Sequence, residues 1–244
     1  MWRLEMHTHT KFSHDSLCGR WSYLWRLKSK KINVVAITDH NEIKGAKVYQ
    51  RFLKRFGITV IIGEEIFTKQ GEIIGLFLNE KIEPNLTVEE TIKQIKAQGG
   101  IVYVPHPYDE SRAKCVLPVT IIEQFKQDID CIEIHNGRNR RIIYSMRQKA
   151  IADCFPNLIQ VIGSDAHAIF ELGRNVHQIE PFYSKEQFLR NLAVSQYESK
   201  PCIQQAHTMT KWVCAYKLIR QGQLAKFINI FNYKRRKRSI IHER

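Results

Sequence analysis

Short apolar, β-branched runs alternate with stretches of helical periodicity along most of the chain. Leu4 to His9 predicts a strand, Cys18 to Lys30 a helix, Asn33 to Thr38 a buried strand and Ile43 to Phe56 a helix. Ile58 to Ile62 and Glu72 to Leu78 follow as strands, then a helix from Val88 to Gln98 that stops at Gly99-Gly100. Ile101 to Val104, Cys131 to His135 and Leu158 to Ile162 predict three more strands, with a helix from Arg138 to Asp153 between the last two. Beyond His167 the pattern is less regular. Repeated strand–helix units bury a parallel sheet under covering helices. Some seven strands of this kind favour an α/β barrel over a short open sheet.

Polar residues recur at one place in each unit. His7 and His9 end the first strand, Asp39-His40 the second and Glu64-Glu65 the third. His106 follows IVYV, Asn136 follows CIEIH, and Asp165 and His167 follow LIQVIG. In parallel α/β architectures the carboxyl ends of the strands face one cavity, so these residues are expected to converge. Imidazole and carboxylate are the side chains that bind divalent transition metals. In the HxH pair, alternate residues of a strand share a face. Any single histidine is more often a structural residue; the recurrence at several strand ends is the signal.

Composition narrows the alternatives. Apolar residues make up 43% of the 244, enough for a full core. No apolar run reaches the roughly 18 residues that span a bilayer. The start, MWRLEMHTHT, lacks the features of a signal peptide, so a cytoplasmic location is the expectation. The six cysteines form no CxxC pair, against a zinc ribbon or thioredoxin-like chemistry. There is no Walker loop, GxSxG elbow or GxGxxG turn, so kinase, serine-hydrolase and dinucleotide-binding readings lack support.

The pieces MHTHTKFSHDS, AITDHNEIKG, IGEEI, VPHP and GSDAH, in this order, resemble the polymerase-and-histidinol-phosphatase (PHP) family over roughly residues 1–180. The resemblance implies a distorted seven-stranded β/α barrel with two or three divalent ions (zinc, manganese or iron) at the carboxyl ends of the strands. It implies that His7 and His9 bind one ion with Asp165, and that Glu65 bridges to a neighbour. Asp15, His40 and His167 would hold a second ion, and His106 would belong to a third site shared with Glu65. Glu65 is preferred over Glu64 because the family acid lies two residues after the glycine, here Gly63. The same register favours Asp15 over His14. Glu72 stands where many members carry histidine, which leaves a three-metal or a two-metal site open. His135 is expected to line the pocket rather than to bind metal.

Such a centre suits phosphoester hydrolysis, with hydroxide generated on one ion and charge neutralised by its neighbour. Arg138 and Arg174 are candidate phosphate clamps. Asp39 is expected either to orient His40 or to cap the following helix. The expected activity is that of a phosphomonoesterase on a small metabolite or nucleotide. The alternatives are a phosphodiesterase or exonuclease on RNA or DNA, and a catalytically silent metal-binding module.

Charge divides the chain in two: 1–196 as the barrel and 197–244 as a basic, partly helical extension. Of the net charge of +14, the last 48 residues carry eleven Lys/Arg against two Glu. The segment from Lys211 to Tyr233 mixes aliphatic and aromatic residues and ends in KRRKR. Its expected role is a helix docked on the barrel followed by a solvated end, with nucleic acid or an anionic membrane surface as possible partners.

Overall fold

The computed structural model describes residues 1–223. The Lys234–Arg238 cluster and the apolar residues Leu224, Phe227, Ile228 and Phe231 lie outside the described residues. Strands and helices alternate as expected. They are β1 (Trp2–Glu5), α1 (Arg20–Ser29), β2 (Val34–Ile37), α2 (Lys44–Lys54), β3 (Thr59–Phe67), β4 (Glu72–Leu76), α3 (Val88–Ala97) and β5 (Ile101–Val104). Then come α4 (Val119–Phe125), β6 (Cys131–Asn136), α5 (Ile142–Asp153), β7 (Ile159–Gly163), β8 (Val176–Ile179), α6 (Lys185–Ala193), β9 (Gln196–Glu198) and α7 (Gln204–Arg220).

The sheet order is β7-β6-β5-β4-β3-β2-β1-β8-β9. A parallel bridge between Thr8 and Ala166 joins the carboxyl ends of β1 and β7 and nearly closes the first seven strands into a barrel. β8 and β9 extend the sheet antiparallel at the side of β1. The remaining departure from a parallel barrel is β4, antiparallel to both β3 and β5. Only four residues separate β3 from β4, too few for a parallel crossover, so the chain turns back as a hairpin. The reversal places the amino end of β4, Glu72, at the rim where the other strands finish.

Burial on both faces explains the uninterrupted apolar strands. Val34, Ala36, Ile61, Ile74, Tyr103 and Val161 share one cluster, sealed by Phe188 and Leu192 of α6. The alternate residues Val35, Ile37 and Val60 pack beneath Tyr23 and Leu27 of α1 and Tyr49 and Leu53 of α2. On the other side Ile73, Val102, Val104, Ile132 and Ile134 meet Ile92 and Ile95 of α3, Ile122 of α4 and Ala152 of α5. Alternation of this kind is what a filled barrel with an outer helical layer requires. Thr87 and Glu90 cap α3 reciprocally, which fixes its start.

Several elements differ from expectation. β1 is Trp2–Glu5, so His7 and His9 follow the strand instead of ending it. β3 runs on through Phe67, because Glu64 and Glu65 stay in the ladder with Gly75 and Ile74. The helix expected from Arg138 begins only at Ile142, because Asn136 accepts a hydrogen bond from Arg138 N and holds 136–139 as a turn. In the basic extension, β9 pairs with β8, and α7 docks through Ala206, Ala215 and polar groups. Trp212, Tyr216 and Ile219 are left on its outer face.

Candidate metal centre

His7, His9, His40, Glu65, His106, Asp165 and His167 project into one cluster at the carboxyl rim; Asn136 lies just behind it, while Asp39 turns to Thr10 and Glu64 to Ile82 N. His7 and His9 turn Nε2 toward Glu65 and Asp165. The separations are 3.3 and 3.6 Å for His7 and 3.3 and 3.3 Å for His9. Beside this group, His167 Nε2 lies 2.8 Å and His40 Nε2 3.5 Å from Asp15 Oδ2. His106 Nε2 stands 3.0 Å from Glu65 Oε1 and 3.5 Å from Glu72 Oε2. His40 Nδ1 completes that third group, 3.2 Å from Glu65 and 3.9 Å from Glu72. Glu65 thus touches the first and third groups, and His9 the first and second. His14 is exposed, and Asp15, held by Ser13 Oγ, is the member of the loop that faces inward.

Local structure explains the convergence. His40 pairs with Glu65 as an isolated parallel bridge that extends β2 beyond Ile37. His9 N donates to Ala166 O, tying the HxH motif to the SDAH motif. His106 and Asp165 take positive φ values of 29° and 52°, conformations that cost non-glycine residues energy and recur at functional sites. Gly163 is required: a Cβ there would lie 2.1 Å from Glu133 Oε1 and 2.8 Å from His7 Cβ.

The residues fit a cation. Among the described residues, His7 Nε2, both ring nitrogens of His9, Glu65 Oε2, His106 Nδ1 and Asp165 Oδ1 are buried without a hydrogen-bond partner. Buried polar atoms are ordinarily paired, and four of these, His7 Nε2, His9 Nε2, Glu65 Oε2 and Asp165 Oδ1, face one another in the first group, which marks a place for a ligand. Burial alone would raise the carboxyl pKa of Glu65, but His7 and His40 hold it well below the usual range. Asp165 is likewise kept ionised against its burial by Arg112 and His7. Burial opposes protonation of His40, yet Glu65 and Asp15 push its pKa up to about 10. The cluster therefore attracts positive charge, and divalent ions would take the place of protons there.

Several partners were not legible in the sequence. Glu133 is fully buried and sits 3.3 Å from His7 Nδ1. It also accepts from Tyr103 Oη at 2.5 Å, His106 N at 2.6 Å and Asn136 Nδ2 at 2.9 Å. Arg112, from the loop after β5, donates to Asp165 at 2.7 Å and to Asp109 at 2.9 Å. Glu171 accepts from His167 N and Ala168 N and pairs with Arg138.

The remaining sequence candidates take other places. Asp39 neither orients His40 nor caps α2; it accepts from Thr10 N at 2.6 Å and Thr10 Oγ1 at 2.7 Å. Gly45 gives it room, since a Cβ there would fall 1.9 Å from its Oδ2. Arg174 does not reach the cleft: its guanidinium donates to Pro201 O. Arg138 does border the cleft, but its two terminal nitrogens are engaged by Glu171 and by Thr210 of α7. His135 faces Ser145 of α5 instead of the pocket.

Above the cluster opens a cleft of about 480 Å³, bordered by His40, Glu72, Arg112, Arg138, Arg140 and Lys211 among others. Carboxylates and imidazoles form its floor, and basic side chains form a wall. The architecture is that of an α/β barrel with a multidentate His/carboxylate centre at the carboxyl ends of its strands. The chain belongs to the PHP domain family, whose profile matches residues 5–175.

It is 41% identical over 148 residues to the uncharacterized protein MJ1587 of Methanocaldococcus jannaschii, covering 57% of this chain and 84% of that protein. A two-domain Bacteroides vulgatus protein containing a predicted PHP-like metal-dependent phosphoesterase superposes with a TM-score of 0.59 at 17% identity. The match covers 81% of this chain and 64% of that one. An amidohydrolase from Chromobacterium violaceum, solved with sulfate and no metal, gives 0.59 at 14% identity, covering 78% and 96%. At such identities the likeness is one of fold. Among the described residues no helix is long and apolar enough to cross a membrane.

Proposed function

We propose that the chain is a metal-dependent phosphoesterase, and specifically a phosphomonoesterase acting on a small metabolite or nucleotide in the cytoplasm. The observation that supports it most is the group of buried, unpartnered atoms His7 Nε2, His9 Nε2, Glu65 Oε2 and Asp165 Oδ1 that face one another beneath a basic-walled cleft. His7, His9, Glu65 and Asp165 would hold one divalent ion, and Asp15, His40 and His167 a second. His106 and Glu72, with Glu65 shared, are positioned for a third. Zinc, manganese or iron suits this donor set better than calcium. Ions bound there would supply Lewis acidity toward a phosphoryl oxygen and lower the pKa of a water.

The chain's own side chains supply position and charge. Glu133 fixes the His7 ring with Nε2 toward the centre, the outer-sphere support that ligating histidines need. Arg112 neutralises the second oxygen of Asp165 and brings a cation to the cleft. Arg140 and Lys211 place further positive charge at the mouth, where a phosphate would enter. Arg138 holds Glu171, which in turn fixes the backbone of His167.

A cleft of about 480 Å³ matches a drug-sized or nucleotide-sized ligand, which favours a small substrate over a polymer. The test compares an aryl phosphate, mononucleotides and labelled RNA and DNA, each with Mn²⁺ supplied. Turnover of the monoesters is expected. Activity confined to the polymers, and weakened by deleting residues 234–244, would replace this reading with a nuclease. No turnover of any phosphoester by metal-replete protein would leave a silent binding module.

A further inference from the structure

Cys214 lies on α7, outside the residues that match the PHP profile. Its thiol nevertheless reaches the β1–α1 loop. Donor atoms of His14, Asp15 and Cys214 all lie within 4.8 Å of one another. The meeting is held by Lys217, three residues further along α7, which donates to Lys11 O at 2.8 Å and to Ser13 O. Asp15 is buried, Cys214 is half-buried and His14 is exposed, so the group opens to solvent on one side.

The donor types decide what such a group would take. The barrel centre offers only nitrogen and oxygen. This rim group adds sulfur, which selects zinc and other thiophilic ions over magnesium or calcium. Tetrahedral zinc, with bonds of about 2.0–2.3 Å, draws its donors to roughly 3.5 Å apart. His14 Nε2 stands 4.0 Å from Asp15 Oδ2, and its largely exposed ring, which meets only the edge of the cluster at His40, is the side chain able to close the gap. Lys217 is directed at two carbonyls and serves as the clamp that keeps α7 against the loop.

We propose that His14, Asp15 and Cys214 form an accessory site for a thiophilic divalent cation at the mouth of the cleft. Asp15 is shared with His9, His40 and His167, and water fills the fourth position. Binding releases the Cys214 thiol proton to solvent. It also cross-links α7 to the β1–α1 loop and so fixes the wall that carries Thr210 and Lys211. This inference does not depend on the phosphoesterase reading, since it needs only the three donors and an ion.

The test is a titration of Co²⁺ into the reduced, metal-free full chain, followed by absorption spectroscopy. Thiolate ligation produces a near-ultraviolet sulfur-to-cobalt charge-transfer band that imidazole and carboxylate do not. The band is expected in the native chain, absent from Cys214→Ser and retained in Cys115→Ser, whose thiol borders the cleft beside Glu72. In His14→Ala the affinity of the banded site should fall at least about tenfold. A native chain without the band, or a band that survives Cys214→Ser, overturns the proposal. Visible d–d absorption that remains in Cys214→Ser, where no thiolate-bound cobalt can contribute, reports the barrel centre, so failure at either site is recognised on its own.

Discussion

Glu133 Oε1 stands 3.3 Å from Nδ1 of His7, across the ring from the Nε2 that faces Glu65 and Asp165. One carboxylate therefore sets the tautomer and the aim of a buried imidazole, and does so from mid-strand. Glu133→Gln would present an amide group to Tyr103, His106 N and Asn136, all of which donate to the present carboxylate. Affinity for the ion nearest His7 should fall by roughly 10- to 100-fold. Chelator-competition titration checks this, and unchanged affinity would remove Glu133 from the support of the centre.

His9 belongs to two of the donor groups, so its loss should be felt at both. His9→Ala is expected to lower metal content and to reduce phosphoester turnover by roughly two or more orders of magnitude, with the barrel still folded. Asp165→Ala should behave in the same direction. Metal analysis beside circular dichroism tests the pair; full metal content in either variant contradicts the assignment.

The two arginines of the HNGRNRR segment that border the cleft should separate cleanly. Arg138 is buried against Glu171 and ties down α7. Arg138→Ala leaves Glu171 buried without its cationic partner, a loss of about 3 kcal/mol in stability. Arg140 is exposed at the cleft. Arg140→Ala should leave the melting temperature alone and raise KM by roughly two- to fivefold with kcat nearly unchanged. Calorimetry and steady-state kinetics would show the split; the reverse pattern would exchange the two roles.

A pH effect on stability is expected from His177, away from the centre. Its Nε2 accepts from Ile162 N and its Nδ1–H donates to Ser195 Oγ, so the neutral ring is the one the fold uses. Burial pushes its pKa down from 6.5 to about 4. The unfolded chain therefore binds the extra proton first as pH falls. Stability is complete above about pH 6.5 and is lost toward pH 4, by up to roughly 3 kcal/mol. Denaturant unfolding across that range should show a steeper loss for the native chain than for His177→Gln. Equal slopes would contradict it.

Much of this was legible because parallel barrels gather their strand ends. His7, His9, His40, His106, Asp165 and His167 could be placed together from strand boundaries alone, and the resemblance supplied Asp15 and the choice of Glu65 over Glu64. Glu72 was ambiguous because a carboxylate stands there where many family members carry histidine, and it could equally have been a surface acid; the hairpin that reverses β4 brings it to the rim, buried beside His40 and His106. Glu133 was missed because a single acid in CIEIHN reads like the polar position of an alternating strand. Its signal was that this strand is buried on both faces, where an acid needs a partner. Arg112 and Glu171 sit in single 3-10 turns between the main elements, too short for a hydrophobic period to point to a direction. Arg174 and Asp39 carried suitable chemistry, but the Pro201 carbonyl at one and Thr10 at the other claim their side chains.

Whether the buried imidazoles and carboxylates hold ions that make the chain a phosphoesterase is decided by phosphate release from an aryl phosphate, measured on one preparation before and after removal of metal and again after refilling with Mn²⁺. Turnover is expected to disappear on stripping and to return on refilling in the native chain, but not in His9→Ala. Turnover that persists in the stripped protein, or that returns equally in His9→Ala, would contradict that expectation.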